Sequence, residues 1–152
     1  MKKPEPTENH LRLRELAGEW KGEEVLHETK VTPRGKAKGF FSFRPAVDGF
    51  FLIADYTQET EGKISLRGHG VIGWDASQSC YTLHWFDSYG LPPDRPGRGQ
   101  WRGDTLAFEH EYTTKVGRTV FQLGGPGLVF KVEMNFENQG WQTALEGTYR
   151  RA

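Results

Sequence analysis

The stretch FFLIADYTQETEGKISLRGHGVIGWD, residues 50–75, decides the fold of this chain. Two segments rich in β-branched and aromatic residues flank Glu61-Gly62. Such residues favour strands, and a two-residue connection that contains glycine is typical of a tight hairpin between antiparallel strands. Residues 50–75 therefore predict two paired strands.

The same pattern continues on both sides of this hairpin and predicts about ten strands. The predicted strands are Gly18–Glu28, Lys36–Ala46, Phe50–Thr60, Lys63–Trp74, Cys80–Ser88, Gly97–Arg102, Thr105–Tyr112, Arg118–Leu123, Leu128–Phe136 and Trp141–Arg150. Connections such as Gly103-Asp104 are too short for a crossover helix, so we expect each strand to run antiparallel to its neighbour. Closure of this meander removes both exposed edges. The sequence thus predicts an all-β, up-and-down antiparallel β-barrel that is wide enough to hold a ligand.

One short helix is predicted before the first strand. Thr7 is a suitable N-cap, Leu13, Leu16 and Ala17 share one face, and Gly18 ends the helix. The length fits a single barrel domain over residues 1–152, of which we expect 1–6 to be flexible.

Charge and cysteine content exclude several classes of function. Twenty lysine and arginine residues balance twenty aspartate and glutamate residues. The net charge therefore gives no indication of binding to nucleic acid or to an anionic membrane. Cys80 is the single cysteine, and no Cys/His spacing resembles a metal site. The N-terminus is charged where a signal peptide would need an apolar region. We therefore expect a cytoplasmic protein with no metal and no cofactor.

Several short motifs occur in an order that resembles a known family. Gly18-Glu19-Trp20 follows the helix, Arg150-Arg151 ends the last predicted strand, and residues 49–56, 70–75 and 85–88 lie between them. In this order the chain is similar to a bacterial lipocalin-like (calycin) family of uncharacterised proteins, domain of unknown function 1579. The resemblance implies a barrel whose floor is formed by Gly18, Trp20 and Arg150, with the guanidinium stacked on the indole, and it brings no established activity.

A more distant resemblance is to the haem-binding nitrobindin-type barrels. It rests on the Gly-x-Trp-x-Gly start and on the run 56–60. Those barrels bind haem iron through a histidine in the C-terminal part, whereas no histidine follows His110 here and the last strand has Glu146 instead. Haem or nitrogen-oxide binding is therefore kept only as an alternative.

A hairpin determines which residues face each other, because paired residue numbers have a constant sum across an antiparallel turn. The Glu61-Gly62 turn places Asp55 opposite Gly68, and a loop over 76–79 places Gly68 opposite Asp87. One face of these three strands sets large aromatic residues opposite glycines, which leaves room for a ligand, so we expect it to face the lumen. Its members are Phe51, Ile53, Asp55, Gly68, Gly70, Ile72, Trp74, Tyr81, Leu83, Trp85 and Asp87.

The Gly103-Asp104 hairpin orients a second part of the lumen. It places Phe108 opposite Gly99 and His110 opposite Gly97, and alternation puts Tyr112 on the same inward face. The ligand-binding residues predicted from both hairpins are Asp55, Trp74, Tyr81, Trp85, Asp87, Phe108, His110 and Tyr112.

Asp55 and Asp87 are predicted to lie on either side of Gly68 on one cavity wall. Burial would raise their pKa values, so the pair could anchor a polar ligand head, hold a cation or carry out acid/base chemistry. Equally, both carboxylates could accept structural hydrogen bonds from buried hydroxyls or ordered water. A single histidine such as His110 is also more often a structural group than a ligand or base.

The first functional hypothesis is a binding protein for a small hydrophobic or amphipathic molecule. The second is a hydrolase or isomerase that uses lumenal carboxylates, and the third is the nitrobindin-like haem protein. A fourth is a filled barrel that binds a partner, or a second copy as a homodimer, through an outer apolar face containing Phe50, Leu52 and Phe86.

Overall fold

The fold is described from a computed structural model that covers residues 2–30, 32–93 and 95–152. It contains helix α1 and, directly after it, a 3₁₀ helix at Leu13–Leu16, followed by strands β1 to β10. The bounds are α1 Glu8–Arg12, β1 Gly18–Leu26, β2 Gly35–Ala46, β3 Phe51–Thr60, β4 Lys63–Asp75, β5 Cys80–Asp87, β6 Gly97–Arg102, β7 Thr105–Glu111, β8 Lys115–Gly124, β9 Gly127–Phe136 and β10 Trp141–Arg151.

The ten strands form one closed antiparallel barrel. Each strand pairs with its neighbours in the chain, and β1 pairs with β10 to complete the ring. Closure leaves neither terminal strand with an unpaired edge. The predicted all-β, up-and-down barrel of about ten strands is confirmed.

The N-terminal helix is shorter than predicted, because its second half tightens into the 3₁₀ helix. The Thr7 amide donates to Nδ1 of His10 at 2.9 Å, which satisfies one of the free donors at the start of the helix. Leu13 and Leu16 are buried against the barrel. Among the residues described, no helix is long and apolar enough to cross a membrane.

The strand register follows one predicted hairpin and departs from another. Between β4 and β5 the pairs Gly68–Asp87 and Trp74–Tyr81 are confirmed. Between β3 and β4 the turn forms as predicted, but Gln58 pairs with Leu66 while Glu59 pairs with Ile64, so one residue is inserted. This bulge, at Ser65, shifts the register by one and turns every β3 side chain to the opposite face from the one predicted.

The two ends of the barrel differ. The end at which β1 begins, next to the helices, is called the closed end, and the end at which β1 finishes is called the open end. The closed end is filled by large apolar side chains that are at most 2% exposed, whereas several side chains inside the open end are only partly buried. These fully buried side chains are Leu13, Leu16, Trp20, Phe43, Leu52, Ile72, Tyr81, Leu106 and Leu128.

The floor of the closed end is built around Trp20. Its indole nitrogen donates to the Leu16 carbonyl at 2.9 Å, and the Arg151 guanidinium lies 4.2 Å above its ring. Arg151 also donates to the Ala17 carbonyl at 2.7 Å, beside Gly18. The prediction of Arg150 as the floor arginine is therefore wrong by one residue. Side chains alternate along β10, so Arg150 points outward while Arg151 reaches over the floor.

Candidate ligand-binding cavity

A cavity of about 490 Å³ occupies the open end of the barrel. Its inner limit is a group of packed aromatic rings, in which the Phe41 and Phe130 centroids are 4.9 Å apart and those of Phe121 and Phe130 are 5.4 Å apart. Beyond these rings towards the open end, the inward side chains no longer meet across the lumen. The cavity is therefore the part of the barrel interior that the chain itself leaves unfilled.

The walls of the cavity are mainly apolar. Aliphatic, aromatic and thioether side chains come from seven of the ten strands. They are Leu26, Tyr56, Leu66, Trp85, Phe121, Phe130, Val132, Met134, Ala144 and Leu145.

Trp85 and Asp87 form one wall at the mouth. The Trp85 ring lies over Gly68 and Gly70 of β4, where a side chain in place of Gly68 would overlap the indole. The indole nitrogen donates to Oδ2 of Asp87 at 3.0 Å, and the Tyr89 amide donates to Oδ1 at 3.0 Å. Both predicted residues lie in the cavity lining, and the predicted aromatic-over-glycine arrangement is what places them there.

His110 and Tyr112 line the mouth from β7 and the residue that follows it. The His110 ring packs against Gly97, and its Nε2 lies 3.1 Å from the Thr119 hydroxyl. Burial lowers the pKa of His110, so its imidazole is uncharged at neutral pH. Burial, and then the negative charge of Asp87, raises the pKa of Tyr112.

A buried polar cluster beside the cavity was missed by the sequence analysis. Glu24 of β1 is 1% exposed, and its carboxylate accepts hydrogen bonds from Tyr56 at 2.8 Å, from Gln58 at 3.1 Å and from Tyr149. Tyr56 and Gln58 line the cavity, so they separate Glu24 from it. Burial raises the pKa of Glu24, and the three hydrogen bonds only partly oppose this effect.

Glycines make room for this cluster. A side chain at Gly39 of β2 would overlap both the Tyr149 hydroxyl and the Glu24 carboxylate, and one at Gly147 of β10 would crowd the same two side chains. Gly22 lies against the Tyr149 ring. Glycine is therefore required on three adjacent strands to seat one tyrosine and one carboxylate inside the barrel.

A simple signal could have found Glu24. Trp20 is the predicted floor residue, and counting by twos along β1 places Gly22, Glu24 and Leu26 on the same inward face. The signal for Gln58 was weaker, because the Ser65 bulge alters the register. Ser65 donates to Gln58 Oε1 at 3.1 Å, so the inserted residue also holds the Gln58 side chain in place.

The prediction that Asp55 faces the lumen is wrong. The shift at Ser65 puts Asp55 on the outer face, where Arg44 Nη1 lies 2.5 Å from Oδ2 and His69 Nδ1 lies 2.6 Å from Oδ1. Partial burial alone would raise the pKa of Asp55, but the hydrogen bonds and charges of Arg44 and His69 lower it overall. By the same shift, Leu52 points inward and is buried rather than forming part of an outer apolar face.

Three predicted ligand-binding residues point inward but do not line the cavity. Trp74 and Tyr81 pack together with ring centroids 4.8 Å apart, and the Tyr81 hydroxyl donates to the Asn9 carbonyl at 2.8 Å near the helix. Phe108 is fully buried in the core. These residues fill the barrel below the cavity, because facing inward does not specify how far along the lumen a residue lies.

Taken together, the closed ten-strand barrel, the short N-terminal helix and the open cavity define a lipocalin-like β-barrel protein. The chain belongs to the family described as protein of unknown function (DUF1579), whose sequence profile matches residues 5–151. No curated protein matches this sequence significantly.

Solved structures share the architecture at low sequence identity. Rv2717c from M. tuberculosis superposes with a TM-score of 0.71 and 16% identity, covering 96% of this chain and 98% of that chain. The S-type phycobiliprotein lyase CPES from Guillardia theta superposes with a TM-score of 0.69 and 10% identity, covering 96% of this chain and 93% of that chain. At these sequence identities the similarity shows that the three proteins share a fold, and nothing beyond the fold.

Proposed function

We propose that this protein binds a small hydrophobic or amphipathic molecule in the cavity at the open end of the barrel. The observation that carries the proposal is a cavity of about 490 Å³ whose walls are mainly apolar. Small-molecule sites typically have volumes of about 300–1,000 Å³ and are lined in this way. Side chains of the chain itself fill the closed end of the barrel, so the unfilled space is specific to the open end.

The positions of the polar groups support one orientation of the ligand. Phe121 and Phe130 limit the inner part of the cavity, while Asp87, His110 and Tyr112 lie where the strands reach the mouth. An apolar body would contact the inner rings, and a polar end would meet the side chains at the mouth. This arrangement satisfies the polar groups of the ligand without burying them against carbon.

Acid/base catalysis has less support. Asp55 is outside the barrel, so the lumenal pair of carboxylates expected from the sequence does not form. Glu24 replaces it inside, but this carboxylate accepts hydrogen bonds from three side chains of its own chain and is covered by Tyr56 and Gln58. A carboxylate whose hydrogen bonds are supplied by its own chain and which is covered in this way does not reach a substrate.

The first experiment is native and denaturing mass spectrometry of the purified protein, together with its absorbance spectrum. Extra mass that is lost on denaturation would support the proposal and give the mass of the ligand. A Soret band would favour the nitrobindin-like alternative instead, with His110 as the histidine of the cavity.

A neutral fluorescent probe, Nile red, tests the cavity directly. We expect saturable binding to the wild-type protein, and its loss in Val132→Trp, because Val132 lines the cavity and an indole would fill it. Val71→Trp is the matched control, since Val71 lies on the outer face of β4 opposite Ile53. Absence of saturable binding to the wild type, or equal loss in both variants, would overturn the proposal.

A further inference from the structure

The mouth of the cavity combines one carboxylate with several aromatic rings. Asp87, Trp85, Tyr89 and Tyr112 all line the cavity there, and the Trp85 and Tyr56 ring centroids are 6.2 Å apart. Tyr89 and Tyr112 have 77% and 52% of their surface exposed, so their rings are accessible to a ligand that enters. Aromatic faces and carboxylates share one property, which is attraction to a positive charge.

Asp87 has hydrogen bonds but no counter-charge among the residues that the structure describes. Its two oxygens accept from the Trp85 indole and the Tyr89 amide, both of which are neutral donors. No lysine, arginine or histidine of the described ranges forms an ion pair with it. Each oxygen retains a lone pair for a further donor.

None of the cationic side chains described near the mouth is paired with Asp87. Arg118 is among the lining residues, but its guanidinium is stacked 3.9 Å from the Trp141 ring and lies 3.4 Å from Glu133. Lys115 lies over Tyr112, at 5.1 Å from its centroid. The side chain of Arg34 is at the rim and exposed.

Two further titratable groups described inside the open end, His110 and Glu24, supply no positive charge. His110 is uncharged at neutral pH because it is buried. The Glu24 carboxyl, which lies behind Tyr56 and Gln58, is either neutral or negatively charged. Arg118 is neutralised by Glu133, so among the described residues inside the mouth Asp87 is the charged group that lacks a counter-charge.

We infer that the ligand of this cavity is an organic cation with an apolar tail, whose ammonium group binds Asp87 and the face of Trp85 while the tail contacts the inner rings. This inference rests on the proposed binding function and specifies the class of ligand. The carboxylate supplies the Coulomb attraction, and the indole, already oriented by its hydrogen bond to Asp87, supplies a cation–π surface.

The test uses three probes with the same ten-carbon tail and different heads: decylammonium, decanol and decanoate. Binding to the wild-type protein is measured by isothermal titration calorimetry at pH 7, below the concentrations at which micelles form. We expect decylammonium to bind about tenfold more tightly than decanol, and decanoate to bind more weakly than decanol. The preference for decylammonium should decrease as salt is added, because the mouth is open to solvent.

Asp87→Asn is the decisive variant. It keeps the size of the side chain and an oxygen that can accept from Trp85, so the affinity for decanol should stay the same and report an intact cavity. The affinity for decylammonium should fall to about that of decanol, a loss of about tenfold. Asp48→Asn is the matched control, because Asp48 pairs with Lys3 at the closed end and its removal should leave all three affinities unchanged.

The outcomes separate the two proposals. If none of the three probes binds to the wild type, the binding function itself is overturned, and the inference with it. If decanol binds but decylammonium shows no advantage, or if decanoate binds most tightly, the inference alone is overturned. A preference for decylammonium that persists in Asp87→Asn would likewise overturn it.

Discussion

The closed and open ends of this barrel are built from the same ten strands but are filled differently. At the closed end, large apolar residues such as Leu106 and Ile72 are fully buried, and arginines lie over two tryptophans, Arg151 over Trp20 and Arg12 over Trp101. At the open end, Leu66 and Trp85 are only partly buried around the cavity. The comparison separates the part of the barrel that stabilises the fold from the part that can bind a ligand.

Polar residues follow the same division. The lumen near the floor is apolar, whereas towards the open end it contains Glu24, Gln58 and His110. A buried carboxylate lowers stability unless it is compensated, and here three donors are arranged around it. The open end therefore contains the buried carboxylate and the histidine of the lumen, and the closed end contains the apolar side chains whose packing maintains the barrel.

The largest expected effect is the loss of packing at the closed end. Leu106→Ala should lower the free energy of unfolding by about 3 kcal/mol, because Leu106 is fully buried and its removal leaves a cavity. Leu66→Ala at the open end should lower it by about 1 kcal/mol, because Leu66 already borders a cavity. Urea unfolding measures both variants, and equal losses would contradict the comparison.

The second effect is a pH dependence caused by Glu24. Burial raises its pKa above the ordinary value of 4.5, so the folded protein binds the proton more tightly than the unfolded chain does. Its contribution to stability is complete below pH 4.5 and is lost as the pH rises through the raised pKa of the folded state. The slope is at most about 1.4 kcal/mol per pH unit.

Glu24→Gln removes this titration and is the variant for comparison. The free energy of unfolding of the wild type, relative to that of the variant, should decrease as the pH is raised from about 4 to about 8. Urea unfolding across this range measures the difference. A difference that is constant with pH would mean that Glu24 titrates equally in the folded and unfolded states.

A third, smaller effect concerns the floor. Arg151→Met removes the guanidinium above Trp20 and its hydrogen bond to the Ala17 carbonyl, and should cost about 1 kcal/mol of unfolding free energy. Arg150→Met, one residue earlier on the outer face, should change it by less than about 0.5 kcal/mol. Thermal or urea unfolding measures both variants. A larger loss of unfolding free energy in Arg150→Met than in Arg151→Met would show that the floor arginine is assigned wrongly.

The smallest effect is expected from Asp55→Asn. Asp55 is half-buried on the outer face and paired with Arg44 and His69, so the change in unfolding free energy at neutral pH should be below about 1 kcal/mol. Because these partners lower the pKa of Asp55 overall, its contribution is present above pH 3.8 and is lost as the pH falls through the lowered value, opposite in sign to Glu24. Loss of Nile red binding in this variant would indicate that β3 faces the other way.

Much of the fold could be predicted because its signals are local. Strands of alternating residues joined by short turns pair antiparallel with their sequence neighbours, and the hairpin at 76–79 correctly predicted the partner of Asp87. The facing of β3 could not be predicted, since the single inserted residue at Ser65 reverses it. Nothing in the run 63–66 distinguishes a bulged strand from a regular one before the pairing is known.

The candidate site also has a part that could be predicted from the sequence and a part that could not. Trp85, Asp87, His110 and Tyr112 were predicted and line the cavity, because their hairpins are regular or nearly so up to the mouth. The cluster around Glu24 joins β1, β3 and β10, strands that are far apart in the chain. No local pattern records such contacts.

The sequence by itself therefore determined the number of strands and their antiparallel order, since hairpin turns and the two-residue period are properties of neighbouring residues. Closure of the barrel followed from the two exposed edges that an open meander of this length would leave. Only the tertiary structure decided which inward residues fill the closed end and which surround the cavity. It also decided that the barrel interior contains Glu24, rather than Asp55, in addition to Asp87. These outcomes depend on a one-residue bulge and on contacts across the lumen, which exist only once the ring of strands has closed.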